Sequence, residues 1–403
     1  MKKWTRIILL VLGFFLLLLL IFKQKLPARY NFIQKHPSLF ISQIKHFLFE
    51  ASPTIPQIEI EINKQQQKAL SYQRKLANIY GVKHKLLTNG FEYEKCKIII
   101  NDTNINAKLK LKGCYSGHWG PGVSKVSYKF KSKTPILDCN AFGIQAPVNR
   151  GYLNDWLLHQ LAGKLDILHP FSQFVKVNIW DKTDTYLFEE YPDENTLLRQ
   201  KRPNGPIAEF DADVFWKFDM HYRDSVNNYR VKLNYESIND SLNKLLITHL
   251  EDTNIFAFDY HAWATYFSLL SLCGNHFHAT AIQNLQFYLN PNTLLIEPIL
   301  FDQNHIEPHY DNIGLSYLIK KAGSKSHITE RLMQHKDFQK YFLTELNRLI
   351  NDLPDLLHSI KPIYEEAYLI NVKQDPLIDY HLGIRTLQEN ASKIKQLFSG
   401  EIK

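Results

Sequence analysis

The sequence predicts an α+β protein with a β-rich N-terminal lobe and a helical C-terminal lobe, behind an N-terminal transmembrane helix. Three observations predict this architecture: an unbroken apolar run near the N-terminus, period-two alternation within residues 56–200, and helical apolar spacing within residues 201–403. At 403 residues and 45% hydrophobic content, the chain is long and apolar enough to bury a large core in one two-lobed unit.

Residues 1–25 are interpreted as a membrane anchor. The run Ile7–Phe22 is slightly shorter than the roughly 20 residues that span a bilayer, but Trp4 suits the interface and Lys23 can snorkel to extend the span. Because no small-residue cleavage site follows, an uncleaved signal-anchor is favoured over a cleaved signal peptide. Positive charge flanks both ends of the run, so the orientation is not forced, but export of the bulk of the chain to the periplasmic or extracellular side is the default for a short basic N-terminal tail.

A proline-punctuated stem, residues 26–55, precedes the β-rich lobe. The segment "IPQIEIEI" alternates as a strand does, and "NKQQQKALSYQRKLANIYG" is typical of a helix that ends at Gly81. Three more alternating segments follow, "KCKIIIND", "NAKLKLKG" and "KVSYKFKSK". Together they predict an antiparallel sheet with one solvated, lysine-bearing face. Two further strands are predicted at "FVKVNIW" and "TYLFEEY".

One further helix is predicted before residue 201, and most of the chain after that residue is predicted to be helical. A helix is predicted behind Asn154, a good N-cap, and a lobe boundary is predicted in the loop-like segment "RQKRPNGPIAEF". The segment "DYHAWATYFSLLSLCG" is apolar on nearly every face. It therefore predicts a buried helix capped by Asp259 and ended at Gly274. A hairpin turning at Asn290–Asn292 and terminal helices complete the prediction.

Charge and cysteine content narrow the functional classes. The net charge is +8, but the lysines are scattered and form no block, so no nucleic-acid partner is predicted. A solvated surface explains the excess, with steering of an acidic or phosphorylated substrate as the alternative. None of the four cysteines forms a CxxC pair. In an exported chain Cys114 could pair with Cys139 or Cys96; the alternative is free thiols.

A polar loop, "CGNHFHATAIQN", carries the strongest functional signal. It is followed by a hairpin and then by "LFDQN", so Asn284 and Asp302 are expected at the same end of that hairpin. An amide oxygen and a carboxylate suit Mg²⁺ or Mn²⁺ rather than Zn²⁺. Lys129 and Lys131 alternate on one strand face and could reach phosphate oxygens. The glycine-rich loop "KGCYSGHWGPG" could close over a nucleotide.

Several segments, in order, resemble the spore-coat protein H (CotH) type of atypical protein kinase. They are "LKLKGCYSGHW", "KVSYKFKSK", "YLNDWLLHQLAGKLDI", "TYLFEEY", "FDYHAWATYFSLLSLCGN" and "IQNLQFYLNPNTLLIEPILFD". The resemblance covers roughly residues 56–310. It implies a two-lobed protein-kinase-like fold, although the glycine-rich GxGxxG loop and the HRD and DFG motifs of ordinary kinases are absent.

The resemblance also implies a function and its residues. It implies binding of ATP with Mg²⁺ or Mn²⁺ and phosphorylation of protein Ser/Thr hydroxyls. By this resemblance Asp302 and Asn284 hold the metal, Lys129 or Lys131 binds phosphate, and Glu190 is the lysine's partner or a nucleotide-pocket carboxylate.

The chain departs from that family at the catalytic position. Members place an aspartate five residues before the asparagine, where this chain has Ala279. The neighbouring His278 could accept a proton or orient a hydroxyl as a neutral imidazole. A general base contributes about 10²- to 10⁴-fold, so slow transfer could survive its loss. The sequence therefore indicates a divergent kinase or a pseudokinase, with an unidentified protein substrate or binding partner.

Two other functional classes remain open. The cluster Cys273, His276, His278, His305 and His309 could hold zinc in a hydrolase, with Glu297 or Glu307 as base. No HExxH motif occurs, however, and the proline in "NHIEPH" disfavours a helix that would align the last two histidines. The third class is a membrane-tethered binding scaffold that presents aromatic side chains to a sugar or a peptide. The aromatic residues considered for it are Tyr93, Tyr115, Trp119, Trp180, Trp216 and Tyr222.

Overall fold

The structure is a computed structural model, in which the chain divides into two compact units. It describes residues 27–80, 91–113, 116–121, 123, 125–210, 231–252, 254–274, 277–309, 313–324 and 326–400. One unit comprises the chain up to Thr54 together with Pro362–Leu382, and the other comprises Ile55–Lys361 together with Gly383–Lys403.

The smaller unit contains helices α1 (Pro27–Lys35) and α2 (Pro37–Phe49). Its long-range contacts are polar as well as apolar. The amide of Gln43, buried on α2, donates hydrogen bonds of 2.7 Å to the carbonyls of Pro376 and Ile378. These bonds hold α2 against the segment that follows Val372.

The larger unit begins with a closed barrel of seven strands, ordered β1-β2-β3-β4-β5-β7-β6. Every neighbouring pair is antiparallel except β1 and β6, whose parallel pairing closes the barrel. The strands are β1 (Gln57–Glu61), β2 (Glu94–Ile100), β3 (Thr103–Leu111), β4 (Tyr128–Ile136), β5 (Cys139–Gln145), β6 (Ser172–Ile179) and β7 (Lys182–Glu190).

Alternation within the strands fills the barrel. Residues of one parity are buried, as in the exposed–buried–exposed pattern of β1, and their partners of the other parity face outward. Three buried phenylalanines stack across the strands. Phe142 lies parallel to Phe130 at a ring-centroid distance of 5.0 Å and to Phe188 at 4.5 Å. Such stacks fix the register of β4, β5 and β7.

The expectation of a two-lobed kinase-like fold behind a transmembrane helix is wrong. The alternating segments were expected to form a sheet, but β1 pairs with both β2 and β6, so the sheet closes on itself as a barrel. The physical reason lies in strand edges. An edge strand exposes unpaired N–H and C=O groups, and closure satisfies them. Alternation alone does not distinguish an open sheet from a closed one.

Helices α3 (Lys64–Tyr80), α4 (Asn154–Lys164) and α5 (Glu194–Arg199) connect or follow barrel strands. The predicted cap of α4 is placed differently: Leu153 occupies the N-cap position and Asn154 is the first helical residue. The Asn154 amide instead lies 3.4 Å from the carbonyl of Asn304, to which it donates. It therefore joins this helix to a loop of the candidate site.

The remainder of the larger unit is not purely helical, because it contains a second sheet of order β11-β10-β8-β9. Strand β8 arises from the segment interpreted as a loop-like lobe boundary. Helix α7 begins after Asp259, whose carboxylate accepts a 3.0 Å hydrogen bond from the Ala262 N–H as predicted. The elements are β8 (Ile207–Phe210), β9 (Val231–Tyr235), α6 (Asp240–Glu251), α7 (Tyr260–Leu272), β10 (Gln286–Leu289), β11 (Ile296–Ile299), α8 (Leu315–Gly323), α9 (His327–Gln334), α10 (Lys336–Val372) and α11 (Leu382–Ser399).

The expected transmembrane helix and single-pass membrane location are contradicted as well. Among the helices that the structure describes, none is both long enough and apolar enough to cross a bilayer. The run Ile7–Phe22, on which the expectation rested, lies outside the described residues.

Candidate functional site

A buried ion pair between Lys112 and Glu189 lies at the centre of the candidate site. The Lys112 ammonium is 2.8 Å from Oε2 of Glu189, and the two side chains are 10% and 0% exposed. Lys112 follows β3, and its backbone N–H donates to the carbonyl of Ser127 at 2.9 Å. Glu189 lies near the end of β7. The barrel therefore fixes the backbone of both partners.

The strand register explains how Lys112 reaches Glu189. Gly143 of β5 pairs directly with Glu189 of β7. A Cβ at Gly143 would lie 3.1 Å from Nζ of Lys112 and 3.3 Å from its Cδ. The lysine chain therefore passes over β5 at the glycine, where no side chain obstructs it.

Arg150 joins this pair to the second half of the site. It ends the short 3₁₀ helix Pro147–Arg150, and its side chain is only 3% exposed. One guanidinium nitrogen donates to Glu189 Oε2 at 2.8 Å, and another donates to Oδ1 of Asp302. The guanidinium thus lies between the carboxylate of Glu189, on β7 of the barrel, and that of Asp302, in the loop after β11. Gln145 donates a further hydrogen bond to Glu189.

Asp302 is held in an uncommon backbone conformation. Its φ is +57°, in the left-handed region that non-glycine residues seldom adopt, although aspartate tolerates it better than most. The following loop packs on the Arg150 turn. The Asn304 amide donates to the Asn149 carbonyl at 2.8 Å, and a Cβ at Gly151 would lie 2.5 Å from the Asn304 carbonyl oxygen. These contacts hold Asp302 beside Arg150.

The structure brings the predicted residues Asn284, His278 and Asp302 together. The Asn284 amide donates to the backbone carbonyl of His278 at 3.0 Å, and Nε2 of His278 lies 3.5 Å from Oδ2 of Asp302. Gln303 supports the arrangement by accepting from the Ala279 N–H at 2.8 Å. The side chains of His278 and Asp302 are about one-quarter exposed, so this end of the site is open to ligands.

Lys129 and Lys131, predicted to bind phosphate, lie on the same barrel wall. Nζ of Lys129 is 3.5 Å from the ring centroid of Tyr191, over which Lys112 also lies at 4.9 Å. Lys131 extends instead toward the ring of Tyr93, at 5.6 Å. The ring of Phe301 lies 5.9 Å from that of Tyr191. Lys129 and Lys112 are therefore neighbours beside an aromatic wall.

Glu190, predicted to be the partner of a phosphate-binding lysine, faces away from Lys112. Successive side chains of a strand point to opposite faces, so Glu189 and Glu190 cannot share one partner set. Glu190 accepts from the Phe171 N–H at 2.9 Å and from Arg199 at 2.7 Å. It stabilises the segment around Phe171 and α5 rather than the Lys112 cluster.

Burial and charge shift the proton affinities in the cluster. Burial would raise the pKa of Glu189, but Arg150 and Lys112 together lower it below its ordinary value. Burial lowers the pKa of Lys112 to about 8, although Glu189 opposes the shift. Burial also lowers the pKa of Lys129 to about 7, and the positive charge of Lys112 adds to the effect while Glu209 opposes it. Near neutral pH, the site therefore contains two lysines that can exchange protons.

Asp155 contributes a second buried carboxyl beside Glu189. Burial raises its pKa to about 7, Arg150 lowers it and Glu189 raises it. Its oxygens accept no hydrogen bond from the described residues, and its closest Arg150 contact is 3.6 Å. A proton on Asp155 would let it donate a hydrogen bond to Glu189, and this bond adds to the effect of burial on the pKa of Asp155.

Two groups of residues could hold a cation. Asp302 and Asn284 offer the hard oxygens that Mg²⁺ and Mn²⁺ prefer, since the Asn284 amide nitrogen is engaged and its oxygen remains the ligand atom. Asp155, His159 and Glu189 also place ligand atoms within 4.8 Å of one another, all buried. Arg150 and Lys112 already bring two positive charges to that buried cluster, which disfavours a divalent ion there.

The histidine–cysteine cluster converges only in part among the described residues, where the ring centroids of His278 and His305 are 5.3 Å apart but His309 and Cys273 have other partners. Nε2 of the buried His309 is 2.7 Å from the Ser271 carbonyl, and the Cys273 thiol donates to the Leu269 carbonyl at 3.6 Å. His276 lies outside the described residues, as does Cys114, so the disulfide alternatives that involve Cys114 do too. The thiols of Cys96, Cys139 and Cys273 are free and buried.

Sequence reasoning missed Lys112, Glu189 and Arg150. Lys112 continues the alternation of "KLKLKG", so the sequence predicts which strand face it lies on. No neighbouring residue, however, distinguishes it from Lys129 as a member of the site. In the pair "EE" of "LFEEY", the resemblance pointed to Glu190 rather than to Glu189, its neighbour on the opposite face of the strand. Arg150 lies in a short turn, "APVNRG", whose side-chain direction depends on tertiary contacts.

Comparison with known proteins adds no relative: no protein-family model matches the chain, and no curated protein matches it.

Proposed function

We propose that the larger unit binds a nucleoside triphosphate with Mg²⁺ or Mn²⁺ and transfers its terminal phosphoryl group, slowly, to a hydroxyl acceptor. One observation carries the proposal: Asp302, in a left-handed conformation, directs its two oxygens at Arg150 and His278, while Asn284 contacts the same histidine. Carboxylate, amide and imidazole groups thus lie together at a partly exposed end, and Arg150 connects them to Glu189, the partner of Lys112. The resemblance to CotH-type kinases adds protein Ser/Thr hydroxyls as the proposed acceptor class.

The lysines supply the positive charge that such a ligand needs. Phosphoryl transfer depends on placement and charge stabilisation more than on covalent chemistry by the protein. Lys112 is held in position by Glu189, and Lys129 lies beside it over Tyr191. Arg150 is almost fully buried, so we assign it the role of positioning Asp302 and Glu189.

A bound divalent ion would be held by Asp302 and Asn284 and would neutralise phosphate charge. Because Arg150 and His278 already face the carboxylate oxygens, a bound ion would share these oxygens with them or displace one of the two contacts. In the transfer, the acceptor oxygen forms a bond to the terminal phosphorus as the bond to the bridging oxygen breaks. The nucleoside diphosphate leaves with the electron pair, and His278 takes the hydroxyl proton.

Thermal unfolding of the full chain with millimolar Mg²⁺ and ATP tests the binding proposal. We expect a metal-dependent rise in melting temperature that Asp302→Asn abolishes, since asparagine tolerates the left-handed conformation but lacks the charge. The matched control is Asp166→Asn. Asp166 also has a φ of +57° and pairs with an arginine, Arg202 at 3.0 Å, but it is not part of the site.

The outcomes distinguish binding from catalysis. No shift with any nucleotide, or an equal loss in the Asp166 control, would overturn the binding proposal. Transfer of labelled phosphate to protein acceptors tests the second step. We expect His278→Gln to lower the rate by about 10²-fold or more while nucleotide binding persists. Background labelling by the wild-type chain would leave a nucleotide-binding protein without transferase activity.

A further inference from the structure

A polar groove lies on the outer wall of the barrel, apart from the site described above. Its volume is about 690 Å³, within the roughly 300–1,000 Å³ of small-molecule sites. The start of α3 and strands β1, β2, β3 and β6 border it. The side chains that matter for its chemistry are Glu61, Gln66, Lys97, Asn106, Asn178 and Trp180.

Trp180 occupies a position that a bulky side chain normally avoids. Ile179 and Lys182 pair across the end of the β6–β7 hairpin, so Trp180 and Asp181 form a two-residue turn. Their φ values are +57° and +58°. Such turns favour Asn, Asp or Gly, which suits Asp181 but not tryptophan. A residue held in a disfavoured conformation points to a function for its side chain.

The exposure of Trp180 indicates what that function is. The indole is 39% exposed and borders a groove whose other side chains are mostly polar. It offers a flat apolar face beside amide groups that can both donate and accept hydrogen bonds. The nearby charges of Glu61 and Lys97 are paired at 2.6 Å. The groove therefore combines an aromatic surface with hydrogen-bonding groups and little uncompensated charge.

We propose that this groove binds a neutral oligosaccharide of gluco-configured pyranose units. Such a ring has an apolar face of axial C–H groups that can stack on the Trp180 indole. Its equatorial hydroxyls would exchange hydrogen bonds with the amides of Gln66, Asn106 and Asn178. None of these groove residues belongs to the candidate site around Asp302, so saccharide binding does not depend on nucleotide binding there.

Other ligand classes fit the groove less well. Phosphate-rich ligands would gain no net attraction, because the carboxylates of Glu59, Glu61 and Asp181 outnumber the lysines of the groove, Lys95 and Lys97. An extended peptide cannot add a strand at β1, because β1 pairs with β2 on one edge and with β6 on the other. A peptide bound through side chains alone remains as a competing outcome of the test.

Isothermal titration of the full chain with soluble cello-, chito- and malto-oligosaccharides tests the proposal. We expect at least one series to bind with a millimolar or lower dissociation constant, and Trp180→Ala to weaken that binding by at least about tenfold. The matched control is Leu294→Ala. Leu294 is also an exposed apolar residue in a hairpin, with a φ of +58°, but it lies outside the groove.

A second variant separates binding from folding. Trp180→Asn places a favoured residue in the turn, so its melting temperature should not fall, while saccharide binding should be lost. The proposal is overturned if no neutral saccharide binds at millimolar concentration, or if Trp180→Ala binds as the wild type does. Binding of oligolysine in place of every saccharide would likewise overturn it, in favour of a basic peptide.

Discussion

Gly143 lies directly opposite Glu189 in the β5–β7 register, and the side chain of Lys112 passes over it to reach that glutamate. A substitution at Gly143 therefore tests the ion pair without altering either charge. In Gly143→Ala the new Cβ would crowd Nζ and Cδ of Lys112. We expect the free energy of unfolding to fall by about 1 kcal/mol and nucleotide affinity to fall several-fold.

Urea unfolding and ligand titration of Gly143→Ala check this prediction. Gly314→Ala is the control, because nothing lies within 4 Å of a Cβ at that position. If Gly143→Ala binds and unfolds like the control variant, Lys112 does not need the space that Gly143 leaves.

A double-mutant cycle measures the coupling free energy between Lys112 and Glu189. Glu189→Gln leaves Lys112 and Arg150 without their common carboxylate, so we expect a loss of about 3–5 kcal/mol in the free energy of unfolding. Lys112→Met should cost less, because Glu189 keeps Arg150 and Gln145. The double variant should be more stable than additivity predicts.

Glu190→Gln is the matched control for this cycle. Glu190 is equally buried, but its partner Arg199 is 29% exposed and can be solvated when the carboxylate is lost. We therefore expect a smaller destabilisation than in Glu189→Gln, measured by urea unfolding at pH 7. Equal losses in the two variants would contradict the central role of Glu189.

Asp155 makes stability depend on pH. Its pKa is raised to about 7, so the folded protein holds a proton that the unfolded chain releases near pH 4. Between these values the folded state binds more protons, and the free energy of unfolding falls as the pH rises. The stability of the wild type relative to Asp155→Asn should therefore fall between pH 4 and 7, by an amount on the order of 2–4 kcal/mol.

Urea unfolding of both proteins across this pH range provides the measurement. Using the difference between them cancels the contributions of buried histidines that do not contact Asp155, such as His118, whose pKa burial lowers to about 3. A difference that stays constant from pH 4 to 7 would show that Asp155 ionises in the fold as it does in the unfolded chain.

Lys129 should make nucleotide affinity depend on pH. Burial lowers its pKa to about 7, so above neutral pH the free protein carries it largely uncharged. A bound phosphate favours the charged form, and binding must then include proton uptake. We expect the dissociation constant of the nucleotide to rise by up to about tenfold per pH unit above pH 7.

Lys129→Met should bind more weakly at pH 7 but with a flatter pH profile, as measured by calorimetric titration. Lys131→Met serves as the control, since that lysine is directed at Tyr93 rather than Tyr191. If the pH dependence of the nucleotide dissociation constant is unchanged in Lys129→Met, another group takes up the proton. Lys112, whose pKa is lowered to about 8, is then the next residue to test.

Local pattern predicted many elements of this fold. The alternation that gave β1, β2, β3 and β4, and the cap at Asp259, depend on near neighbours and could be derived from the sequence. Closure of the barrel could not, because it depends on which strand lies beside β1. A short strand such as β8 gave no periodic signal.

The sequence predicted the part of the candidate site that flanks one hairpin, with Asn284 before β10 and Asp302 after β11. Asn284 and Asp302 both contact His278 because β10 and β11 return the chain to the same place. Which lysine and which glutamate form the buried ion pair depends on the alternation of side chains along β3 and β7 and on the open space at Gly143. These features become visible only when the strands are paired.

The parallel pairing of β1 with β6 has a consequence for how the chain folds. Ile60 finds its partner Ile179 only after four other strands, β2 to β5, have intervened. During synthesis, β1 therefore emerges long before the neighbour that completes its hydrogen bonding. Closing so distant a contact has a large entropic cost, and topologies rich in such contacts fold slowly. Until Ile179 leaves the ribosome, β1 remains an edge available to other chains, which makes the nascent protein a natural client for chaperones.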